Sequence, residues 1–234
     1  MIISNLIPSF RDSVLKPLSD PAIDYLDAGI DLILETDALK AVPIVGTVSA
    51  VCKIGVNLHE RNLLKQTFEF IKGFNDGAID KETVEAHRLE LEKDPGKQEK
   101  ELSRVLIILE KQVDEQQSLV LGSFYNSFVR GAITWDKFCE LSEANSRMFS
   151  SDYPILTRAA CENGLNLNGQ ELYQVDRLIS LGLLSHVSRK GRAIYNVSGE
   201  TLGLLNNTNA GEKDAILTSF GKTFFQHLPH ELQK

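Results

Sequence analysis

The chain has 234 residues and a formal net charge of −7, with 42% hydrophobic and 24% charged residues, a balance that excludes a disordered or collagen-like polypeptide. That length holds one large domain or two small ones and buries a sizeable core. The acidic excess argues against non-specific nucleic-acid binding, which draws on positive potential, while leaving room for a local basic patch.

The N-terminal "MIISNLIPSFRDSVLKPL" has apolar residues but neither a basic leading region nor a small-residue cleavage site, so a secretory leader is not expected. Cys52, Cys139 and Cys161 are scattered, form no Cys-x-x-Cys and lie at no zinc-ligand spacing from a histidine. Three reduced structural thiols in a cytoplasmic protein are the simple reading.

From Pro21 to Glu35, Ile23, Leu26, Ile30, Ile33 and Leu34 recur every three or four residues, which predicts a helix with one buried stripe. Asp24, Asp27, Asp31 and Glu35 fall on its other face. A carboxylate row of this kind can bind a divalent cation, but a solvated acidic face is the commoner outcome, and no second carboxylate motif completes a two-metal site.

The stretch "ALKAVPIVGTVSAVCKIGVNL", residues 38–58, is the most unusual in the first half, apolar from Val45 to Val56 except for small residues and Lys53. It falls at the margin of the roughly 20 residues that a membrane span needs. Lys53 would lie inside such a span at high cost. A central helix buried on nearly all sides is therefore expected over residues 42–58, with Val45, Val48, Val51 and Ile54 in the core. Insertion of the same residues into a membrane on triggering is the alternative.

An amphipathic helix follows from Glu60 to Phe74, with Leu63, Leu64, Phe68 and Ile71 on one side and Gly73 and Gly77 punctuating its end. A charged helix is expected over Lys81–Glu92, then a turn at "KDPGKQ" around Pro95 and Gly96. A long helix from Glu99 to about Gln116 carries Leu102, Val105, Leu106, Leu109 and Val113. It resumes through Leu119, Leu121, Phe124, Tyr125 and Phe128 to Gly131. Thr134 caps a further helix with Trp135, Phe138, Leu141 and Met148. Aromatics at helical spacing here point to core packing.

From residue 152 the pattern changes. Asp152 is placed to cap a helix ending near Gly164; "NLNGQ" makes a turn; Gln170 to Leu181 makes a second helix stopped by Gly182. "LLSHVS" and "AIYNVS" read as a hairpin around "RKGR", "NNTNAG" as a polar loop, and Leu217 to Leu228 as a short strand and a final helix.

The progression "RLISLGLL … IYNVS … LTSFGKTFF" resembles the winged-helix superfamily over about the last third of the chain. That resemblance implies a recognition-type helix closed by Leu-Gly-Leu-Leu and a later element opened by Leu-Thr-x-x-Gly. It speaks for fold more than for function. A DNA-reading helix needs basic and amide side chains. Here Gln170 and Gln174 could read bases, but Glu171 and Asp176 oppose a single Arg177. The wing adds Arg189, Lys190 and Arg192, so these four cations are the candidate nucleic-acid contacts. Their bland alternatives are surface charge and a solvated turn at Gly191.

The combination of "KAVPIVGT", "FIKGF" and "KQVDEQQSLVLGSFYNSFVRGAITWDKFCEL" with "LTSFGKTFF" resembles uncharacterised bacterial helical proteins near the abortive-infection Abi-alpha type. It implies a bacterial or mobile-element protein with a role in defence against phage, and brings no catalytic residue with it.

Enzyme chemistry leaves little trace. The sequence has no phosphate-binding glycine loop, no His-Glu-x-x-His and no Gly-x-Ser-x-Gly. His227 and His230 in "HLPH" lack an evident third ligand and read as a mobile tail. The five histidines show no triad spacing, although catalytic groups distant in sequence can still converge. The expectation is a mainly α protein: a helical bundle over 1–150, then a winged-helix-like α+β module with a small hairpin over 151–234. It is expected to be cytoplasmic and non-enzymatic, without metal or cofactor, acting through a protein partner or a homo-oligomer. Nucleic acid is a less favoured partner, and a membrane a partner only on triggering.

Overall fold

The computed structural model describes residues 6–16, 43–51, 58–167, 172–187, 192–195, 201–205 and 214–234. These form ten α-helices and four short strands, so the protein is mainly helical. They divide into two compact units. The first is Met1–Ser150 with His227–Glu231, and the second is Ser151–Gln226 with Leu232–Lys234. The predicted helix over 21–35, its acidic face and the "NNTNAG" loop lie outside the described residues.

The first unit contains α1 (Ile7–Leu15), α2 (Pro43–Val51), α3 (Leu58–Asp76), α4 (Lys81–Lys93), α5 (Pro95–Lys111), α6 (Glu115–Val129) and α7 (Trp135–Asn145). Side-chain caps fix several of these starts. Asp80 accepts from the Thr83 N–H, Asp94 from the Lys97 N–H, Asp114 from the Gln116 N–H and Thr134 from the Lys137 N–H. Pro95 and Gly96 belong to the first turn of α5 instead of a separate turn. A proline at that position loses no helical hydrogen bond, and the break is carried by Asp94.

The long predicted helix ends at Lys111. Gln112 adopts extended backbone and α6 starts afresh behind Asp114. Val113, expected on the buried stripe, lies in this break and is 83% exposed.

Among the described residues α6 is the helix buried on nearly every side, and its core includes Leu119, Val120, Leu121, Phe124, Tyr125 and Val129. Of residues 42–58, expected to hold such a position, only part is described. In α2, Ile44 and Val45 are buried while Pro43, Gly46 and Thr47 are part-exposed. Leu58, at the other end of the apolar segment, is exposed. The side chains of Val48 and Val51 and the whole of Ile54 lie outside the described residues. Among the described residues, no helix is long and apolar enough to cross a membrane.

The packing of α3 against α6 rests on two glycines. A Cβ on Gly73 would stand 1.8 Å from the Leu119 carbonyl oxygen, and one on Gly122 would stand 2.0 Å from that of Phe70. Gly73 therefore does not merely punctuate the end of α3; in the last turn of that helix it lets two backbones touch. Around this contact the rings of Phe70 and Phe74 lie 5.6 and 5.8 Å from Tyr125, and Phe138 lies 5.8 Å from it on the other side. Edge and tilted contacts at these distances add to the burial of each ring.

The second unit contains α8 (Asp152–Cys161), α9 (Leu172–Ser180), β1 (Leu184–His186), β2 (Arg192–Tyr195), β3 (Thr201–Leu205), β4 (Ala215–Leu217) and α10 (Ser219–Gln226). The expected hairpin between "LLSHVS" and "AIYNVS" does not form. β1 pairs antiparallel with β4, placing Leu184 opposite Leu217, and β2 pairs antiparallel with β3. Leu165 bridges Ala215 as well, so Ala215 has partners at both Leu165 and His186.

The two sequence phrases of this unit have a mechanical explanation. Gly182 takes a φ of 74°, a left-handed conformation that favours glycine, and ends α9 with hydrogen bonds from Gly182 N to Ile179 O and from Leu183 N to Leu178 O. Thr218 Oγ1 accepts from the Gly221 N–H and opens α10. Gly221 carries no Cβ because one would lie 2.0 Å from the Leu183 carbonyl oxygen. Leu-Gly-Leu-Leu and Leu-Thr-x-x-Gly are thus the two sides of one close contact.

Candidate functional site

α9 is the helix that the sequence resemblance expects to be of the recognition type. Its buried side is Val175 and Leu178. Its first turn displays Leu172 and Tyr173, 57% and 61% exposed, and Asp176 is exposed one turn on.

Arg177 does not extend this face as a free cation. Its Nε and Nη2 donate to the two carboxylate oxygens of Asp152 at 2.8 and 2.6 Å. Asp152 is the first residue of α8 and fully buried, and the cap position falls to Ser151, which makes no side-chain capping bond. Expected to cap this helix, Asp152 instead lies within its first turn and forms a bidentate ion pair, and a carboxylate taken out of water needs an opposite charge in good geometry. The guanidinium also lies 5.7 Å from the centroid of the Tyr173 ring. Tyr173 is therefore steadied by a cation on its flank while most of its surface stays in solvent.

The other candidate nucleic-acid contacts are Arg189, Lys190 and Arg192. Arg189 and Lys190 lie outside the described residues. Arg192 opens β2, and its side chain is likewise outside them.

The first unit holds a buried polar cluster that the sequence did not announce. Tyr125 OH donates to Glu101 Oε1 at 2.6 Å, and His87 Nε2 stands 2.7 Å from the same oxygen. All three side chains are at least nine-tenths buried. Burial pushes the Tyr125 hydroxyl well above its ordinary pKa, reinforced by the Glu101 charge beside it. These are groups that can pass a proton, and at this depth they meet one another. Their effect is to tie α4, α5 and α6 through one carboxylate oxygen.

A faint signal for the cluster exists in the sequence. Glu101 falls four residues before Val105 on the apolar stripe of α5, Tyr125 four after Leu121 on that of α6, and His87 four before the buried Leu91. Nothing in the spacing says that the three meet.

His227 and His230 do not form a mobile tail. Leu228 is 3% exposed, and His227 Nδ1 lies 2.9 Å from Ser127 Oγ. Cys139 is part-buried, which raises its thiol pKa, and Cys161 is exposed. Among the described residues, no group of three His, Cys, Asp or Glu could hold a metal ion. Compared with known proteins, the chain matches no family model, no curated protein and no solved structure.

Proposed function

We propose that the protein is a non-enzymatic interaction or regulatory protein whose second unit, a winged-helix-like module, grips a protein partner through the exposed face of α9. One observation carries this reading. The sole cation of α9 is spent on Asp152, while Leu172 and Tyr173 stand exposed at the head of the helix. Reading DNA would need that face to supply cations for phosphates and donors for base edges. An apolar residue beside a tyrosine held by a neighbouring guanidinium suits a protein interface, where rigid aromatic anchors dominate binding. The winged-helix comparison draws support from the run of α8, Leu165, α9, β1 and β4, with the β2–β3 hairpin between β1 and β4 in sequence.

A DNA-binding regulator is the second reading. It draws on that same hairpin, since Arg189, Lys190 and Arg192 fall at its start, where a wing would present them to a phosphate backbone. The resemblance to Abi-alpha-type proteins points to phage infection as the setting in which a partner acts.

The test compares tagged full-length protein with two variants of unchanged thermal stability. Leu172→Ser with Tyr173→Ser is expected to lose a stoichiometric protein partner that wild type retains. Arg189→Glu with Arg192→Glu is expected to retain it. The opposite result, with salt-sensitive binding of duplex DNA lost only in the second variant, would replace the first reading by the second.

A further inference from the structure

The segment His227–Glu231 returns to the first unit between two stretches of the second, Ser151–Gln226 and Leu232–Lys234. One of the polar contacts that hold it there is conditional on charge. The His227 carbonyl accepts from Ser123 Oγ at 2.8 Å, and the His230 N–H donates to Asp76 Oδ2 at 2.9 Å. Neither bond depends on a histidine ring. The third contact joins His227 Nδ1 to Ser127 Oγ. Arg130 Nη2 also points at this oxygen, from 3.5 Å.

A hydroxyl has one hydrogen to give. With the Arg130 N–H directed at the oxygen, the Ser127 hydrogen is free to turn to Nδ1, which then acts as acceptor on a neutral imidazole. A doubly protonated ring would have to donate to the same oxygen from beside a second cation.

We propose that His227–Glu231 is a pH-sensitive clasp, seated on α6 while the His227 ring is neutral and released when that ring gains its second proton. Burial of the half-buried ring, together with the charge of Arg130, holds the docked pKa below the ordinary value. The sign follows. The segment's docking is fully supported above about pH 6.5, where the free ring is neutral, and is lost as pH falls through the lower docked value. The other charges around the segment act elsewhere. Asp76 on α3 is engaged by the His230 backbone, and Glu69 on α3 faces Glu231 and is paired with Lys72. His230 and Glu231 themselves are exposed. Arg130 is the charge that bears on His227.

Hydrogen exchange on the full chain, corrected for the intrinsic effect of pH, tests this at about pH 7.5 and about pH 5.5. Wild type is expected to lose protection over 227–231 at the lower pH while residues 119–125 of α6 keep theirs. His227→Asn, whose amide oxygen can accept from Ser127 and never ionises, is expected to stay protected at both. Arg130→Gln is expected to push release to lower pH by making the docked imidazolium less unfavourable. Equal protection of wild-type 227–231 at both values would overturn the clasp. So would joint loss over 119–125, or release of His227→Asn that tracks wild type. If His227→Asn is undocked at neutral pH, an Arg130→Gln release curve identical to wild type overturns the proposal on its own.

Discussion

Adding one methyl group at Gly122 is the sharpest test of how α3 and α6 are packed. In Gly122→Ala the new Cβ would lie 2.0 Å from the Phe70 carbonyl oxygen and 2.8 Å from the Phe74 nitrogen, whereas real Cβ atoms essentially never come under 3.0 Å. Both obstacles are backbone, so no side chain can rotate away. The helices must part by about 1 Å, and a gap of that size forfeits up to about half of each dispersion contact along the seam. Overpacking costs about 1–3 kcal/mol, and a backbone clash belongs at the upper end. Alanine returns about 1 kcal/mol as the better helix former. The net expectation is a loss of about 2 kcal/mol, or a Tm lower by about 4–8 °C for a unit of this size.

Gly73→Ala should behave alike. The double variant should cost less than the sum of the two, because either methyl already separates the same pair of helices. Gly46→Ala has nothing within 4 Å of its new Cβ and should stabilise by about 0.5–1 kcal/mol. Thermal and urea unfolding of the four variants beside wild type would decide. A Gly122→Ala midpoint equal to or above wild type would refute the reasoning, most plainly if Gly46→Ala moves the same way.

Arg177→Ala strands the buried Asp152 carboxylate and should cost about 3 kcal/mol, while adding Asp152→Ala recovers part of the loss; urea midpoints of the single and double variants measure both. An unchanged Arg177→Ala midpoint would mean that the pair contributes no more than a surface contact. The Tyr125 phenol has a raised pKa in the folded protein, so it favours the folded state fully below about pH 10 and ceases to do so as pH climbs beyond that value. Alkaline titration followed by tyrosinate absorbance should therefore leave Tyr125 protonated until the protein unfolds. Tyr125→Phe should remove its share of the alkaline loss of stability.

The helices were legible because their apolar residues recur with the helical period. Leu63, Leu64, Phe68 and Ile71 are buried on one side of α3, as their spacing requires. Three kinds of feature were not legible. Strand pairing was misread because β1 and β2 are adjacent in sequence, yet the partner of Leu184 is Leu217, beyond a second hairpin. Glycine was read as punctuation at Gly73, where its value lies in a contact with a helix some fifty residues away. The meeting of His87, Glu101 and Tyr125, and the pairing of Arg177 with Asp152, join elements whose approach only the fold determines. Hydropathy reports which residues leave water, and it is silent about which polar groups meet once they have left.

The position of His227–Glu231 also bears on synthesis. The bundle's last piece, with Leu228 in its interior, leaves the ribosome only after every strand and helix of the second unit. At roughly 5–20 residues per second, the nascent bundle waits several seconds with that groove on α6 uncovered. Closing it joins Ser123 to a carbonyl 104 positions later, a long loop whose entropy grows only slowly with length. The second unit is thus free to fold first, and the final seating of the C-terminal segment is a non-local step set against an otherwise local helical scaffold.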